Sequence, residues 1–429
     1  MPTIVVLYPA YGTVSCQRVC RLAGGIEGLR LVLADDEPSS ADEDLFDEVM
    51  ELPPPERLSE AYGLLRRWLD KRPPDGIFVQ SERALLLGSL LAREYGLKGP
   101  GVEAAHLCSN KYLQRVVTSN AGILNPRFAL AETAAEALRL ARAFGFPVVL
   151  KCVISTMSRL VTVVYSEEEI DAAVARMRVS LVESLDVARL AGFAATAKVG
   201  LGCDPARQFL VESFLQGNMV ETDGLVVGDK PFTFGVTEQV QSVDPPLFIE
   251  GYLYPAECWD NGPIERVSDA IIAAVGLRDS AFSIELRECA GEVRLVEVNG
   301  RLGWDDGFGE MFQVRTQRER IYQAIQLALG TEPDLIRDES RCAALAYRSC
   351  YYNGIVEELP AREQLAQHER DGLRLGLSTH VGAHFVAPPN PAAYPHVAWA
   401  LATHPASSRE AYHVARRAVN ALEVSIRRT

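Results

Sequence analysis

The sequence predicts a chain of several units that joins an α/β domain to α+β domains. With 429 residues, the chain exceeds what one hydrophobic core usually supports, so two or three packed units are expected. Its first hundred residues alternate short apolar runs with helical patterns, which is typical of an open parallel sheet. Strand-rich segments dominate from about residue 218, which favours α+β domains in the rest of the chain.

Three apolar runs in residues 1–100 predict the strands of this parallel sheet. They are TIVVLY, LRLVLAD and GIFVQ, with helices expected over residues 15–23 and 84–95. No GxGxxG follows the first strand, so dinucleotide binding is not indicated. Neither GxxxxGKS nor GxxxxGKT occurs anywhere, which argues against a P-loop NTPase.

Residues 101–330 predict a second domain, with a small α+β lid at about residues 126–215. Helices are expected after Ser109, over 131–144 and over 167–189, and strands over 146–152, 160–164 and 208–215. Further strands follow in ETDGLVV, PFTFGVTEQV, FSIELRE and EVRLVEVNG. Residues 331–429 predict a C-terminal α+β domain whose closing helix covers residues 408–422.

Charge and composition restrict the class of partner. The net charge of −14 repels nucleic-acid phosphates and anionic lipids, so neither is expected as a partner. No apolar stretch is long enough to span a membrane, and the first residues predict a buried strand rather than a signal peptide. Nine scattered cysteines favour free thiols in a reducing cytosol, so we expect a cytoplasmic protein.

The segment SIELRECAGEVRLVEVNGR predicts a hairpin with a polar face. Pairing about the turn at residues 289–291 places Glu285 opposite or nearly opposite Glu297. Side chains two residues apart share a strand face, so Glu297, Asn299 and Arg301 point the same way. Two close carboxylates repel unless a cation joins them, and Mg²⁺ prefers such oxygen ligands. The alternative is an acidic hairpin that faces solvent.

Two lysines and the end of one strand are the other features that indicate a ligand site. Lys111 lies in a helix, and Lys151 ends the apolar strand FPVVL, where a point charge can meet a phosphate. The segment QFLVESFLQG is a strand that runs into a short connection, and it would bring Glu212 and Leu215 beside an adenine ring. The alternatives are surface lysines and an ordinary strand and turn.

Along the chain the motifs occur in the order Lys111, Lys151, Glu212 and then the hairpin, and this order resembles the ATP-grasp superfamily. The detail is most like the carboxylate–amine ligases of the L-amino-acid ligase group, which have a biotin-carboxylase-like layout. GLKGPGVEAAHLCSNKYLQR resembles the segment before their first lysine, VEVNGRLG their metal-and-arginine signature, and HPASSREAYHVARRAVNALEV their closing helix. The resemblance covers essentially the whole chain. It implies an ATP-grasp fold with an N-terminal open parallel α/β domain, a central lid plus ATP-binding domain and a C-terminal α+β domain.

The resemblance also implies a nucleotide site. Lys111 and Lys151 would contact the phosphates of ATP. The adenine hinge would be formed by Glu212, Phe214 and Leu215.

A metal site and a catalytic arginine are implied in the same way. Glu285, Glu297 and Asn299 would hold Mg²⁺, with Mn²⁺ as the alternative metal. Arg301 would steady the reacting acyl group.

This chain departs from the resemblance at three places. The lid loop VISTMSR has no glycine, although Ser155, Thr156 and Ser158 can offer hydroxyls to the phosphates. Met219 stands where a ribose-binding glutamate is frequent, and Glu221, two residues on, is the expected replacement. After the arginine, the usual glycine-rich continuation is replaced by WDD.

The resemblance implies an ADP-forming ligase that joins a small-molecule carboxylate to an amine through an acyl phosphate. An amino-acid or peptide-like product is expected, and a homodimer is compatible with the family. On the substrate side, Trp304 would restrict the acid and Glu250 would pair with an ammonium group. Their alternatives are core packing for Trp304 and an exposed loop position for Glu250.

The sequence is compatible with two alternative functions. One is a biotin-carboxylase-like or purine-pathway ATP-grasp enzyme. The other is a catalytically inactive nucleotide-binding regulator.

Overall fold

The structure, a computed structural model, describes most of the chain. The described residues are 1–9, 12–155, 159–337, 340–361, 363, 365–366, 369, 372–387 and 395–429, with backbone alone at residues 12–15. Within these ranges, no helix has both the length and the apolar character that crossing a bilayer requires.

The N-terminal segment forms a four-stranded parallel sheet in the order β3-β2-β1-β4. Its strands are β1 (Thr3–Leu7), β2 (Arg30–Asp35), β3 (Glu48–Glu51) and β4 (Gly76–Val79). The predicted open parallel sheet is confirmed, since β1 pairs in parallel with both β2 and β4. The edge strand β3 was not predicted, because its sequence EVME has only two apolar residues.

Five helices follow or connect these strands: α1 (Gly12–Ala23), α2 (Ser40–Glu43), α3 (Leu58–Leu69), α4 (Glu82–Tyr95) and α5 (Val102–Ser109). Helix α4 begins directly after β4 and ends at Gly96, whose φ of 65° is the left-handed conformation favoured at a helix end. Its first residue, Glu82, therefore lies at the carboxyl end of the parallel sheet.

The lid contains a four-stranded antiparallel sheet in the order β5-β8-β6-β7. Its strands are β5 (Phe128–Ala131), β6 (Val148–Cys152), β7 (Val161–Val164) and β8 (Phe209–Ser213). Helices α6 (Lys111–Asn120) and α7 (Ala134–Phe144) flank β5 along the chain. A capping box at Thr133 and Glu136 starts α7, which explains why it begins after the predicted residue 131.

The predicted single helix over residues 167–189 is wrong. Residues 167–169 form a short 3-10 helix, followed by α8 (Ile170–Val182) and α9 (Leu185–Ala197). The two α-helices are separated because the Ser184 side chain accepts a hydrogen bond from the Val187 backbone N–H at 3.3 Å. Serine at this position starts a new helix rather than continuing the old one.

An eight-stranded antiparallel sheet forms the largest layer, in the order β13-β12-β9-β10-β11-β14-β18-β16. Five of its strands precede residue 330: β9 (Met219–Val227), β10 (Lys230–Gln241), β11 (Ile249–Tyr254), β12 (Ser280–Cys289) and β13 (Glu292–Asn299). The other three follow it: β14 (Cys342–Ser349), β16 (Arg374–Leu377) and β18 (His396–His404). One continuous sheet thus joins the central and C-terminal segments through the pairing of β11 with β14.

The remaining elements cover this sheet or extend the C-terminal segment. They are α10 (Asn261–Val275), α11 (Phe308–Thr316), α12 (Arg320–Ala328), α13 (Ser408–Asn420) and a small sheet of β15 (Gly354–Glu358), β17 (His384–Phe385) and β19 (Ser425–Arg428). The mixed α/β and α+β architecture agrees with the fold class that the sequence predicts.

Helix α4 approaches the end of β13 closely. A Cβ atom on Gly300 would lie 3.1 Å from Cδ1 of the buried Leu85 of α4, tighter than an ordinary contact. The glycine therefore permits the N-terminal segment to pack against the chain just after Asn299.

Candidate nucleotide and metal site

A cleft opens between the lid sheet and the large sheet. Side chains from β6, β8, β9, β10, β12 and β13 line it, together with residues of α4 and α6. Ten residues that the sequence singles out line this cleft: Lys111, Lys151, Ser155, Glu212, Phe214, Leu215, Glu285, Glu297, Asn299 and Arg301.

The β12–β13 hairpin presents two carboxylates to the cleft. Its turn contains Ala290 at φ 51° and Gly291 at φ 91°, the left-handed conformations that a tight hairpin turn requires. The register then shifts by one residue between Leu286 and Glu285, and this shift pairs Glu285 directly with Glu297, as predicted.

Opposing charges surround the carboxylate pair. Burial raises the pKa of Glu285 to about 8, with further contributions from Glu297 and Glu221, while Arg301 and Lys111 lower it. Lys111 Nζ donates to Glu297 Oε1 at 2.7 Å and to the Ser155 carbonyl oxygen at 2.8 Å. Lys111 therefore connects α6, the hairpin and the lid.

The donor set of the hairpin fits Mg²⁺. In the described part of the chain, no group of three or more His, Cys, Asp or Glu side chains forms a metal site by itself. The hairpin offers two carboxylates and the amide of Asn299. Mg²⁺ commonly takes only one or two carboxylates and completes its coordination with phosphate oxygens and water, so this set suits a metal bound with a nucleotide.

A buried charge cluster lies beside the hairpin. Glu212 Oε1 accepts from Arg115 Nε at 2.8 Å, and Glu212 Oε2 pairs with Lys151 Nζ at 2.8 Å. Arg115 Nη2 also donates to the Val296 carbonyl oxygen at 2.5 Å. Burial raises the pKa of Glu212, but the charges of Arg115 and Lys151 outweigh it and hold the pKa below its usual value.

Arg115 was missed at the level of sequence. It lies four residues after Lys111 in α6, a spacing that places both cations on one helix face. That spacing is the signal that could have identified it.

The far end of the cleft is apolar. Phe214 and Leu215, the predicted hinge residues, lie just beyond the end of β8 and line the cleft. Facing apolar side chains come from β6, β7, β9 and β13: Val149, Val161, Met219 and Leu295. A flat apolar slot therefore lies beside a strand end, while the lysines and carboxylates occupy the opposite end.

Arg301 binds a residue of the N-terminal segment. Its guanidinium forms an ion pair with Glu82 of α4, and Nη1 donates to the Leu302 carbonyl oxygen at 3.0 Å. Burial disfavours the charge of Arg301, but Glu82 outweighs it and raises the pKa of the arginine above its ordinary value. Glu82 was also missed by sequence, although an acid directly after a parallel strand lies at the edge where such sheets bind ligands.

Glu221 pairs across β9 and β12 with the cleft-lining Glu285, but it does not itself line the cleft. Its Oε1 accepts from Ser283 Oγ at 2.7 Å and its Oε2 from Gln239 Nε2 at 2.8 Å. The carboxylate is buried at the centre of the large sheet, so both oxygens are already engaged by neighbouring strands.

Glu250 and Trp304 also lie outside the cleft lining. Ile249 lines the cleft, so its neighbour Glu250 points to the other face of β11, where it pairs with Arg416 of α13 at 3.1 Å. Trp304 is partly buried and packs against a hydrophobic core, which is the alternative to a substrate-binding role. In the lid loop, Ser155 lines the cleft, whereas Thr156 and Ser158 fall outside the described residues.

A central part of the chain matches a known domain family. Residues 144–306 match the model of the ATP-grasp domain. An uncharacterized protein y4rH of Sinorhizobium fredii is 29% identical over 257 residues, which are 59% of this chain and 48% of that protein. The chain thus spans about half the length of that curated relative.

Solved structures share the fold over the whole chain. The L-amino acid ligase from Bacillus licheniformis has a TM-score of 0.82 at 19% identity, covering 99% of this chain and 98% of that one. The biotin carboxylase domain of the Hydrogenobacter thermophilus 2-oxoglutarate carboxylase, solved with MgADP, has a TM-score of 0.69 at 16% identity, covering 99% and 91%. Residues 144–306 thus match the ATP-grasp domain, and the chain shares the fold of these solved structures, as the sequence resemblance implies.

A buried ion pair supports the segment that follows Arg301. Asp223 Oδ1 accepts from Arg320 Nη1 at 3.0 Å and from the Gly303 backbone N–H at 2.5 Å. Arg320 Nη2 donates to the Gly303 carbonyl oxygen at 3.0 Å, so the pair holds both sides of one residue. Burial and the neighbouring Glu221 raise the pKa of Asp223 well above its ordinary value, while Arg320 opposes them.

Replacing Asp223 by alanine should destabilise the protein strongly, because it leaves the buried charge of Arg320 without a partner. Breaking such a pair typically costs about 3–5 kcal/mol of unfolding free energy, measurable by chemical denaturation. The matched control is Glu167→Ala, which breaks an exposed pair with Arg142 and should cost far less. Equal losses in the two variants would contradict a supporting role for Asp223.

Proposed function

We propose that this chain is an ATP-dependent carboxylate–amine ligase that forms an amide through an acyl phosphate. The observation that carries the proposal is the arrangement of charge along one cleft. Two lysines and a facing pair of carboxylates occupy one end, with Arg301 beside them, and an apolar slot occupies the other. Such an order suits the phosphates, the metal and the base of one bound nucleotide.

The nucleotide would bind along the length of this cleft. Its base would enter the slot beside Phe214 and Leu215, and its phosphates would meet Lys111 and Lys151. The hairpin residues Glu285, Glu297 and Asn299 would hold Mg²⁺. When bound, the metal would neutralise charge on the phosphates of ATP.

The first step transfers the γ-phosphoryl group. A carboxylate oxygen of the acid attacks the γ-phosphorus, the bond to the β-phosphate oxygen breaks, and ADP leaves. Lys111 and Lys151 offset the charge that spreads over the phosphoryl oxygens. Both lysines are buried, so this stabilisation acts where water screens it little.

In the second step the amine attacks the acyl carbon. The tetrahedral intermediate carries an oxyanion, the bond between the acyl carbon and the phosphate oxygen then breaks, and the departing phosphate takes the proton that the amine loses. Arg301 is the permanent cation beside the carboxylate pair, and its planar fork suits both the incoming carboxylate and the oxyanion. Glu82 fixes the direction of this guanidinium through their ion pair.

We infer an amino acid or a peptide-like acid as the substrate class. The fold shared with an L-amino acid ligase supports this inference. The same proposal includes a homodimer and a cytoplasmic location. It also includes a division into three domains, residues 1–100, 101–330 and 331–429. A purine-pathway or biotin-carboxylase-like reaction is the rival within ATP-grasp enzymes.

A phosphate-release screen across pairs of amino acids, with mass spectrometry of the products, tests the reaction. We expect ADP, phosphate and an amide in equal amounts for at least one pair. Glu297→Gln should abolish ADP formation without unfolding the protein, because it removes one charge of the facing pair. Glu292→Gln, on the exposed start of the same strand, is the matched control and should stay active.

Two results would contradict the proposal. If the protein binds ATP but forms no ADP with any pair of amino acids tested, it is a nucleotide-binding regulator. Undiminished ADP formation by Glu297→Gln would remove the carboxylate pair from the reaction.

Arg301→Ala should bind ATP nearly as the wild type does, while amide formation falls. Loss of one donor to a developing oxyanion typically costs about a hundredfold to a thousandfold in rate. Arg301→Lys should recover only part of the rate, because lysine keeps the charge and loses the fork. Calorimetry for ATP beside product formation separates the effects. Comparable losses in both would show that Arg301 serves the nucleotide instead.

The affinity for ATP should weaken as the pH rises above about 8. Burial lowers the pKa of Lys151 to about 8, Glu212 raises it, and Arg115 and Lys111 lower it further. Above this pKa the lysine is neutral and no longer attracts phosphate. Glu212→Gln removes the one carboxylate that supports the charge, so the loss should begin at a lower pH.

Calorimetric titrations with ATP across a pH series would measure this shift. Glu60→Gln is the control, since it changes an exposed carboxylate of α3. Identical pH profiles for the wild type and Glu212→Gln would exclude Lys151 as the titrating group.

A further inference from the structure

Helix α8 of the lid is apolar on two opposite faces. Its inner face is buried in the lid and comprises Ile170, Ala173, Val174, Met177 and Leu181. Its outer face also has large apolar side chains, since Val179 is 63% exposed and Val182 is 79% exposed. Leu185, at the start of α9, is 62% exposed and extends this surface. A surface helix normally has polar residues on its outer face, so the outer face of α8 is a candidate contact surface.

The exposed apolar residues of α8 follow a heptad pattern. We call them the α8 seam, and they are Ala172, Ala175, Val179 and Val182. Their spacing of three, four and three residues is that of alternating a and d positions, which face a partner helix in a coiled coil. The helix has 13 residues and is about 20 Å long, so the seam comprises two a and two d positions.

Charged residues flank the α8 seam at the g and e positions of the heptad. Asp171 and Arg178 each precede an a residue, whereas Arg176 and Glu183 each follow a d residue. All four side chains are exposed, and none has an ion-pair partner among the described residues. In a parallel pair of helices, a g residue lies beside the e residue five positions further on in the partner helix, where opposite charges stabilise the pair.

The charges of α8 complement those of a second copy of the same helix. In a parallel pair, Asp171 would lie beside Arg176 of the second copy, and Arg178 would lie beside Glu183 of the second copy. Two-fold symmetry repeats both pairs, so four pairs of opposite charge would flank one apolar seam. Antiparallel helices place g beside g and e beside e, and no single alignment then matches both kinds of pair. Each copy has a net charge of −14, and these local pairs offset the general repulsion between copies.

A groove along the α8 seam leaves space for a second helix. Val179 and Val182 line one side of this groove, and Ala206 and Arg207, in the connection before β8, line the other. Among the described residues that line the nucleotide cleft, none belongs to α8. The groove is therefore separate from the candidate nucleotide and metal site.

We propose that two copies of this chain associate through α8, with the helices parallel and the seam of one copy packed against the seam of the other. The inference names the surface of the homodimer that the proposed function includes, and it does not depend on the ligase reaction. Stable interfaces bury at least about 1,200 Å² in total, which is more than one short helix pair supplies. The dimer therefore exchanges with the monomer.

Sedimentation equilibrium over roughly 1–100 µM protein tests this association. The chain has a mass of 47.0 kDa, and we expect the average mass to rise toward twice this value as the concentration increases. Val179→Asp places a carboxylate in the seam beside its own copy, so this variant should stay monomeric. Val179 is exposed in the monomer, so the variant should fold. Val414→Asp changes an exposed valine of α13 and should dimerise as the wild type does.

Exchanging the flanking charges tests whether the pairing is specific. Arg178→Glu places two acids side by side at two symmetric positions, so it should weaken the dimer about tenfold. The double variant Arg178→Glu/Glu183→Arg restores opposite charges in reversed order and should recover most of the affinity. Equal dimerisation by the wild type, the single variant and the double variant would overturn the pairing of g and e residues.

Val179→Cys tests the parallel orientation. In a parallel pair, residue 179 lies beside the same residue of the second copy, close enough for a disulfide bond. Mild oxidation should therefore give a covalent dimer that a reductant cleaves. Val414→Cys is the control for the native cysteines and should give no such dimer. If Val179→Cys gives no covalent dimer at concentrations where the wild type dimerises, the parallel arrangement is wrong.

The inference and the proposed function fail differently. If Val179→Asp dimerises as well as the wild type does, another surface forms the dimer, so the inference is overturned and the homodimer stands. If the wild type is monomeric at every concentration, the inference and the homodimer are both overturned. The ligase reaction is tested separately, by the formation of ADP.

Discussion

Repulsion between buried like charges is the constraint on which the rest of the site depends. Glu285 and Glu297 face each other because the ladder that starts at the two-residue turn shifts by one residue between Leu286 and Glu285. Each shift by one residue would send one carboxylate to the opposite face of the sheet, so the pairing of β12 with β13 determines whether the site exists. Lys111 and Arg301 then surround the pair with positive charge, and each comes from a different part of the chain.

A similar balance of charge operates at the lid sheet on the other side of the cleft. Glu212 lies between Arg115 and Lys151, so two cations and one anion leave a net positive charge at the phosphate end of the cleft. Buried groups of this kind are costly unless every partner is present. The site is therefore assembled from mutually dependent ion pairs rather than from independent ligands, and its geometry follows from the packing of three segments.

The sequence was informative where the signal was local. The hairpin followed from its turn and its alternation, although the one-residue shift that pairs Glu285 with Glu297 has no signal in the sequence. The parallel sheet followed from apolar runs. The edge strand β3 was not predicted because it is short and half acidic. The helix over residues 167–189 was predicted as one because its apolar periodicity continues through Ser184, where a new helix begins. Each of these errors arose where a single capping or edge residue outweighed the average pattern.

Local sequence patterns could not predict contacts between segments that are distant in the chain. Glu82 approaches Arg301 only because Gly300 lets α4 pack against the end of β13. Glu250 was expected near the substrate, but strand alternation turns it toward α13.

The ion pairs of the lid also bear on how the protein can be divided for recombinant work. The segment recognised as an ATP-grasp domain begins at residue 144, whereas Lys111 and Arg115 precede it. Their partners, Glu297 and Glu212, lie inside the segment. An expressed fragment cut at that boundary would keep the two acids and lose two of their three basic partners. The segment that sequence comparison recognises is thus shorter than the segment that must stay together for folding. A stable fragment has to include α6.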